Sequence, residues 1–228
     1  MFICGGKGGL KDGDEVSGDR GSRRRRKPEE AERTILAAAR AFLEERPFRE
    51  MTVEEVMVRT GLSRPAFYAY FGDRYDLITR LLEGFGGLLF AVDWRWLSGT
   101  ADGGRDEARE VLVDALRAGS QTFVEYGPVL RAISDAAGYD ARVEEVYRGG
   151  LIERLVSAVA TRISRDMKAG VTPGGTDPGQ TARALVLMTE RYLLDAFGSP
   201  ERRLSRRETE EVFGALEEVW VRTLYGPA

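Results

Sequence analysis

Histidine is missing from this 228-residue chain, which removes His-based catalytic triads, imidazole metal sites and HExxH helices. Cysteine is almost missing too. The single Cys4 lies in a glycine-rich stretch, so an intrachain disulfide is impossible and a cysteine zinc site is excluded. Such usage suits a reducing cytoplasm. No apolar run approaches the ~20 residues that a membrane helix needs, the stretch from Gly84 to Val92 being too short, and no membrane association is expected. The opening MFIC passes straight into glycines, with no basic region and no adequate apolar one, so a secretory signal is not expected. Carboxylates and tyrosines remain for acid–base work, yet no pair stands out at a defined spacing. The chain is expected not to be an enzyme and to use no metal or cofactor.

What is present is 43% apolar and 31% charged, the balance of an ordinary soluble globular protein. The length allows one large domain or a small one joined to a larger one. Net charge is only −3, but it is unevenly placed. Residues 20–80 carry 14 Lys/Arg against 10 Asp/Glu, whereas residues 81–228 carry 18 against 23. A basic N-terminal module on an acidic body suggests that only the first part meets an anionic partner.

Residues 1–22 are rich in Gly, Asp and Lys and poor in core-forming side chains, so they are expected to be disordered. The basic run Arg23, Arg24, Arg25, Arg26, Lys27 follows, closed by Pro28, and residues 1–28 together form a tail with a basic arm. From Glu29 the pattern turns helical, with Ile35, Ala39, Phe42 and Leu43 on one face. Pro47 ends that helix. TVEE, from Thr52 to Glu55, is a capping box that opens a second helix stopping near Thr60. Gly61 supplies a turn, and Ser63 caps a third helix with Pro65 tolerated in its first turn. Asp73 caps a fourth, longer helix through Leu81, Leu82 and the Leu88–Phe90 region. Beyond a turn at 98–104, Leu112, Leu116 and Phe123 make an apolar stripe up to Gly127-Pro128. A short segment at 129–137 and a helix at 143–167 come next. Leu185, Met188, Tyr192 and Ala196 mark the penultimate helix, and SRRE from Ser205 is a second capping box for the last. No strand-type alternation of useful length appears. The chain is expected to be all-α with nine helices.

Two helices joined by a short turn containing glycine form a helix-turn-helix, although a plain αα-hairpin of a bundle gives the same pattern. The neighbourhood favours the former. Val56, Leu62 and Phe67 occupy packing positions, while Arg64, Ala66, Tyr68 and Ala69 make a face too exposed for a core. That face suits a major groove, with the hydroxyls of Tyr68 and Tyr70 reaching phosphates. The basic arm stands just before the module, and Arg74 opens the fourth helix as another candidate phosphate ligand.

The stretch TVEEVMVRTGLSRPAFYAYFGDRYDLI resembles the signature of the TetR family of transcriptional regulators. The resemblance implies an N-terminal three-helix DNA-binding domain (residues 29–75) and a six-helix ligand-binding and dimerisation bundle (residues 76–228). It also implies that Thr52 meets the DNA backbone and that Arg64, Pro65, Ala66 and Tyr68 face the groove, Tyr68 meeting a phosphate; Ser63 is a further candidate DNA contact. Arg74 stands where the family usually carries a phosphate-binding lysine. The segments ALVLMTERYLLDAF and EVWVRTLYG look like the C-terminal region of EthR-like members, in which the equivalents of Thr189 and Trp220 line a long apolar tunnel. The sequence departs from those members at Val186, Thr189, Ala115 and Thr122.

Independently of that likeness, Phe123, Tyr126, Met188, Tyr192 and Trp220 fall on inward helix faces, either as plain core or as the lining of a mostly apolar cavity. Ile152, Leu155 and Val186 are candidate lining residues beside them. The expected partners are double-stranded operator DNA, a small apolar effector and a second copy of the chain. The dimer is expected through the last two helices, with Leu185, Leu193 and Ala196 on one and Val212, Leu216 and Val219 on the other. An architectural DNA-binding protein without ligand is the alternative, but it would need basic charge spread over more of the surface.

Overall fold

Helix α1 (Arg20–Glu45) forms because its apolar residues recur on one face, and Ile35, Ala39, Phe42 and Leu43 are all buried there. The computed structural model describes residues 20–91, 95–99 and 104–226, without the side chains of 20–28 and 86–91. The basic run and Pro28 lie inside α1, so the helix starts at Arg20 and not at Glu29. Arginine and lysine are good helix formers, and they carry the helix through Pro28 despite its missing donor and its clash with the carbonyl one turn before. Residues 1–19 of the tail expected to be disordered lie outside the described residues.

A single 3-10 turn, Phe48–Glu50, leads to α2 (Val53–Thr60). Only half of the expected capping box forms at α2. Thr52 accepts the Glu55 amide, but the Glu55 carboxylate goes to Arg46 at 2.5 Å. A charged partner across the α1–α2 junction outcompetes a backbone amide. Gly61, at φ 68°, makes the turn into α3 (Arg64–Tyr68). Asp73 caps α4 (Arg74–Ala91) by accepting the amides of Tyr75 and Asp76.

The body departs further from expectation. A four-residue helix, α5 (Arg95–Ser98), buries Trp96. Helix α6 (Gly104–Ala137) runs through Gly127-Pro128 without the break expected there. Its residues Val129, Leu130, Ala132, Ile133 and Ala136 are buried, and continuing the helix is what buries them. α7 (Ala141–Glu144) leads through a π-helical stretch, Glu145–Ile152, into α8 (Glu153–Lys168). α9 (Pro178–Phe197) and α10 (Arg206–Tyr225) complete the bundle, and α10 has its full capping box at Ser205 and Glu208. The described residues thus hold ten α-helices and no strand. α6 packs against α1, α4, α5, α7, α9 and α10, so it joins the N-terminal helices to the rest.

Gly127 shows why α6 can pass so close to α9. A Cβ built there would run into the Phe197 carbonyl oxygen, well inside any allowed approach. Helix propensity alone favours alanine over glycine by about 1 kcal/mol. The clash is with backbone at the end of α9, which cannot swing aside. Gly127→Ala is therefore expected to destabilise the protein by about 1–3 kcal/mol, the usual cost of overpacking, in denaturant unfolding. Stabilisation by that substitution would show that the α6–α9 approach is loose.

Candidate functional site

The four aromatics that follow α2 divide by destination. Phe67 and Phe71 are buried, with ring centroids 5.3 Å apart, and anchor α3 to the N-terminal core. Tyr68 is 51% exposed, and Tyr70 is half-buried against the core. Anchoring through Phe67 turns the other side of this short helix outward. Ser63, Arg64 and Pro65 are exposed there with Thr52 at the start of α2, while Ala66 is half-buried. Ser63 occupies the cap position of α3 without a side-chain capping bond. Leu62, expected to pack between the helices, is 37% exposed. Arg64 leans toward the Tyr68 hydroxyl at 3.5 Å, so the two form one donor-rich edge. Arg59–Glu45 and Arg46–Glu55 ion pairs hold α2 to α1 behind this face.

Arg74 is differently placed from the expectation of a free phosphate ligand. Its guanidinium donates to the Met51 carbonyl at 3.1 Å and to the Tyr75 hydroxyl at 3.2 Å. It also lies over the rings of Phe48 and Tyr75. The residue is a clamp between the start of α4 and the turn before α2. The side chains of Arg23 to Lys27 lie outside the described residues.

In the body, a cavity of about 100 Å³ lies between α5, α6, the π-helical stretch, α8, α9 and α10. Phe123, Ile152, Leu155, Val186, Thr189 and Trp220 all line it. Tyr126, Met188 and Tyr192 do not. Tyr126 instead packs edge-on to Phe85 of α4 and beneath the Arg40 guanidinium of α1. Met188 packs between the core clusters, and Tyr192 is 40% exposed on the outer side of α9. Periodicity places Tyr126 on the side of α6 that meets α4 and α1, and Tyr192 beside the exposed Arg191 and Asp195 of α9.

Polar groups in the wall are few and mostly engaged. The Trp220 indole N–H donates to Thr189 Oγ1 at 2.8 Å. The Tyr147 hydroxyl donates to Glu190 Oε1 at 2.6 Å, and both residues border the cavity. Burial, and then the nearby Glu190 charge, push the Tyr147 phenol well above its ordinary range, so it stays a donor. Trp96 forms another part of the wall, edge-on to Trp220 at 6.0 Å. Its indole donates to Tyr225, which donates to Asp166, which pairs with Arg162; Arg162 in turn donates to the Trp96 carbonyl. Arg162 and Asp166 are 2% and 1% exposed, so this closed ring of bonds fixes Trp96 from behind.

Sequence reasoning missed Tyr147, Glu190 and Trp96. Glu190 was legible in principle, four residues after Val186 on the same helix face. Tyr147 sits in the π-helical stretch, where the 3.6-residue period misplaces side chains. Glu217 is half-buried against Arg117 at 2.8 Å. Val212 and Val219 remain partly or largely exposed, whereas Leu185, Leu193, Ala196 and Leu216 are buried within the single chain.

Residues 35–81 match the family described as bacterial regulatory proteins, tetR family. Residues 112–226 match the C-terminal domain of the transcriptional regulator EthR. The HTH-type transcriptional regulator EthR of Mycolicibacterium smegmatis is 27% identical over 206 residues, covering 87% of this chain and 88% of its own. The Mycobacterium tuberculosis protein of the same description is 27% identical over 199 residues, with the same coverage. Among solved structures, a TetR-family regulator from Syntrophomonas wolfei superposes with a TM-score of 0.64 at 16% identity, over 85% of this chain and 94% of that one. At that identity the last likeness concerns the fold alone.

The Arg74 clamp generates a test of structure against surface. Arg74→Ala should lower stability by about 1.5–3 kcal/mol, the scale of hydrogen bonds to a charged group, while Arg64→Ala should leave it within about 0.5 kcal/mol. Arg74→Lys should recover little, because an ammonium cannot reach both acceptors as a planar fork does. Urea unfolding of the three variants decides it. An unchanged midpoint for Arg74→Ala would return the residue to the surface role expected from sequence.

Proposed function

This chain belongs to the TetR family of bacterial regulatory proteins, with an EthR-type C-terminal domain, and on that premise we propose that it is a ligand-responsive repressor. It binds a palindromic operator as a homodimer in the cytoplasm and is released by a small, mostly apolar effector. The observation that carries this reading is the division of labour in α3. Phe67 is fully buried while Arg64, Pro65 and Tyr68 are exposed. A five-residue helix has no packing reason to hold such a face.

Residues 29–75 form the DNA-binding head. The basic run 23–27, Thr52, Ser63 and the hydroxyls of Tyr68 and Tyr70 serve the phosphates; Arg64, Pro65 and Ala66 read the groove. Residues 76–228 form the effector and dimer body. The cavity takes the effector against Phe123, Ile152, Leu155, Val186, Thr189 and Trp220. At about 100 Å³ it is smaller than the ~300 Å³ of typical ligand sites, so binding must spread its walls. That requirement is what gives a ligand leverage on the fold. α6 carries the movement to the head through Tyr126, Phe85 and Arg40. A second path runs from the π-helical stretch to Arg142, which bridges to the α4 cap Asp73 at 2.8 Å.

The dimer uses the outer faces of α9 and α10. Ala184, Met188 and Tyr192 share one face of α9; Ala215, Val219 and Arg222 share one face of α10. Paired about a two-fold axis, these give a four-helix interface and half-sites about 34 Å apart or somewhat more. Selecting bound fragments from genomic DNA, then footprinting the recovered sites, tests the whole reading. Recovery of fragments with no shared inverted repeat would overturn it.

Two outcomes are expected of variants. Replacing residues 23–27 by alanine keeps the helix and should lower affinity for all sequences, reducing the salt slope by about 0.9 for each phosphate left without a basic partner. Arg64→Ala should instead relax selectivity at particular base pairs, by about 1–3 kcal/mol, in competition binding. An identical fall on operator and random DNA would remove Arg64 from base reading. Val219→Arg should yield folded monomers in sedimentation at micromolar concentration, since it puts a charge at the proposed interface without touching the core. A dimer surviving that change would place the interface elsewhere.

A further inference from the structure

The cavity wall carries a charge pattern that an effector described only as apolar does not use. Among the residues lining it there is no lysine or arginine, and the one carboxylate is Glu190. Glu190 is half-buried, and Tyr147, itself 2% exposed, supplies its hydrogen bond at 2.6 Å through Oε1. Arg148, next to Tyr147, is exposed, and Arg191 is turned out to Asp195 at 3.1 Å. The carboxylate thus borders the space with the phenol donating to one of its oxygens. The indoles of Trp96 and Trp220 flank the same space, and an aromatic face attracts cations. The rest of the wall is aliphatic, from Leu112 and Leu116 of α6 to Val159 of α8.

We propose that the cavity selects cationic amphiphiles: small molecules with an apolar body and one protonated amine, the amine donating to Glu190 beside Tyr147. The inference rests on the reading of this cavity as the effector site and adds to it the chemical class of the effector. Its physical basis is desolvation. Placing a molecule without a donor over Glu190 strips water from a carboxylate and returns nothing; a neutral hydroxyl returns a hydrogen bond, and an ammonium returns a hydrogen bond together with an opposite charge. An anion meets repulsion with no counter-ion in the wall. The class sorted best by this site is therefore cation over neutral over anion, at matched shape.

Three near-isosteric probes separate the possibilities: 2-phenylethylamine, 2-phenylethanol and 3-phenylpropionate at neutral pH. Binding is read as quenching of tryptophan fluorescence, and release as loss of the protein–operator complex in the same solutions. The amine is expected to bind at least about tenfold tighter than the alcohol, because only the amine adds an opposite charge to its hydrogen bond in a partly desolvated site, with the acid weakest. Glu190→Gln keeps an oxygen to accept from Tyr147, so the cavity should stay intact. In that variant the amine should lose its advantage while the alcohol keeps its affinity. Equal binding of amine and alcohol to the unaltered protein, or a preference that persists in Glu190→Gln, overturns the proposal while leaving the effector site in place. Binding of none of the three overturns both the class and the site. Binding without operator release upholds the class and strikes only the regulatory reading.

Discussion

A helix of 34 residues is a rod of about 50 Å, and α6 keeps that length only because Gly127 presents no Cβ to the Phe197 carbonyl. The rest of the architecture hangs on this approach. Toward its start, α6 gives the cavity Leu112, Ala115, Leu116, Ser120 and Phe123. One turn beyond, Tyr126 reaches Phe85 of α4 and Arg40 of α1. Beyond Pro128 the same helix buries Val129 and Ile133 in the core shared with the N-terminal helices. Had the chain broken at Gly127-Pro128, the wall of the cavity and the seat of the head would be separate bodies. Continuous, they are one.

The two ends of that rod are stabilised by different means. The head is a small core, closed by Ile35, Phe42, Val56, Phe67, Phe71 and Ile78 and edged by exposed ion pairs. Such pairs contribute at most about 1 kcal/mol each, so burial of the aromatics sets the head's stability. The body contains a buried ion pair, Arg162–Asp166, knitted to Trp96 and Tyr225. A buried pair is weak support for stability but strongly directional, and breaking it leaves an uncompensated charge. Its contribution here is to fix one indole of the cavity wall. If the cavity yields to a ligand as proposed, this wall is the side that stays fixed.

Much of this was legible in sequence, for reasons that differ by element. Caps and turns report local chemistry, so Thr52, Gly61, Asp73 and Ser205 mark helix starts and stops correctly. The split of the aromatics after α2 follows from the same local period. Errors arise wherever tertiary packing overrides a local rule. Pro128 is a helix breaker by propensity, yet burial of the residues after it carries α6 through. Arg74 has the charge for a phosphate but is taken up by Met51, Phe48 and Tyr75. Tyr126 and Tyr192 have the right composition for a cavity wall and the wrong azimuth, while Tyr147 is brought to the wall by a π-helical stretch no periodicity foretells. Leu185, Leu193 and Leu216 look like an interface because one chain's core and a dimer's core use the same residues.

The proposed switch has two routes from cavity to head, and magnitudes separate them. Allosteric coupling in such regulators needs about 1–3 kcal/mol of differential affinity. The Arg142–Asp73 bridge is 58% and 45% exposed at its two ends, and a pair in that setting contributes about 0–1 kcal/mol. Asp73 also commits its other oxygen to the α4 amides, so losing the bridge would not uncap the helix. The bridge can follow a movement; it cannot drive one. The Phe85–Tyr126–Arg40 stack joins three helices in a half-buried setting, where an aromatic pair adds about 0.5–1.5 kcal/mol beyond its burial and the cation about 0.5–1 more. Only this stack approaches the required range. In the proposed switch Tyr126, misplaced as a ligand residue, is the side chain that couples α6 to the head.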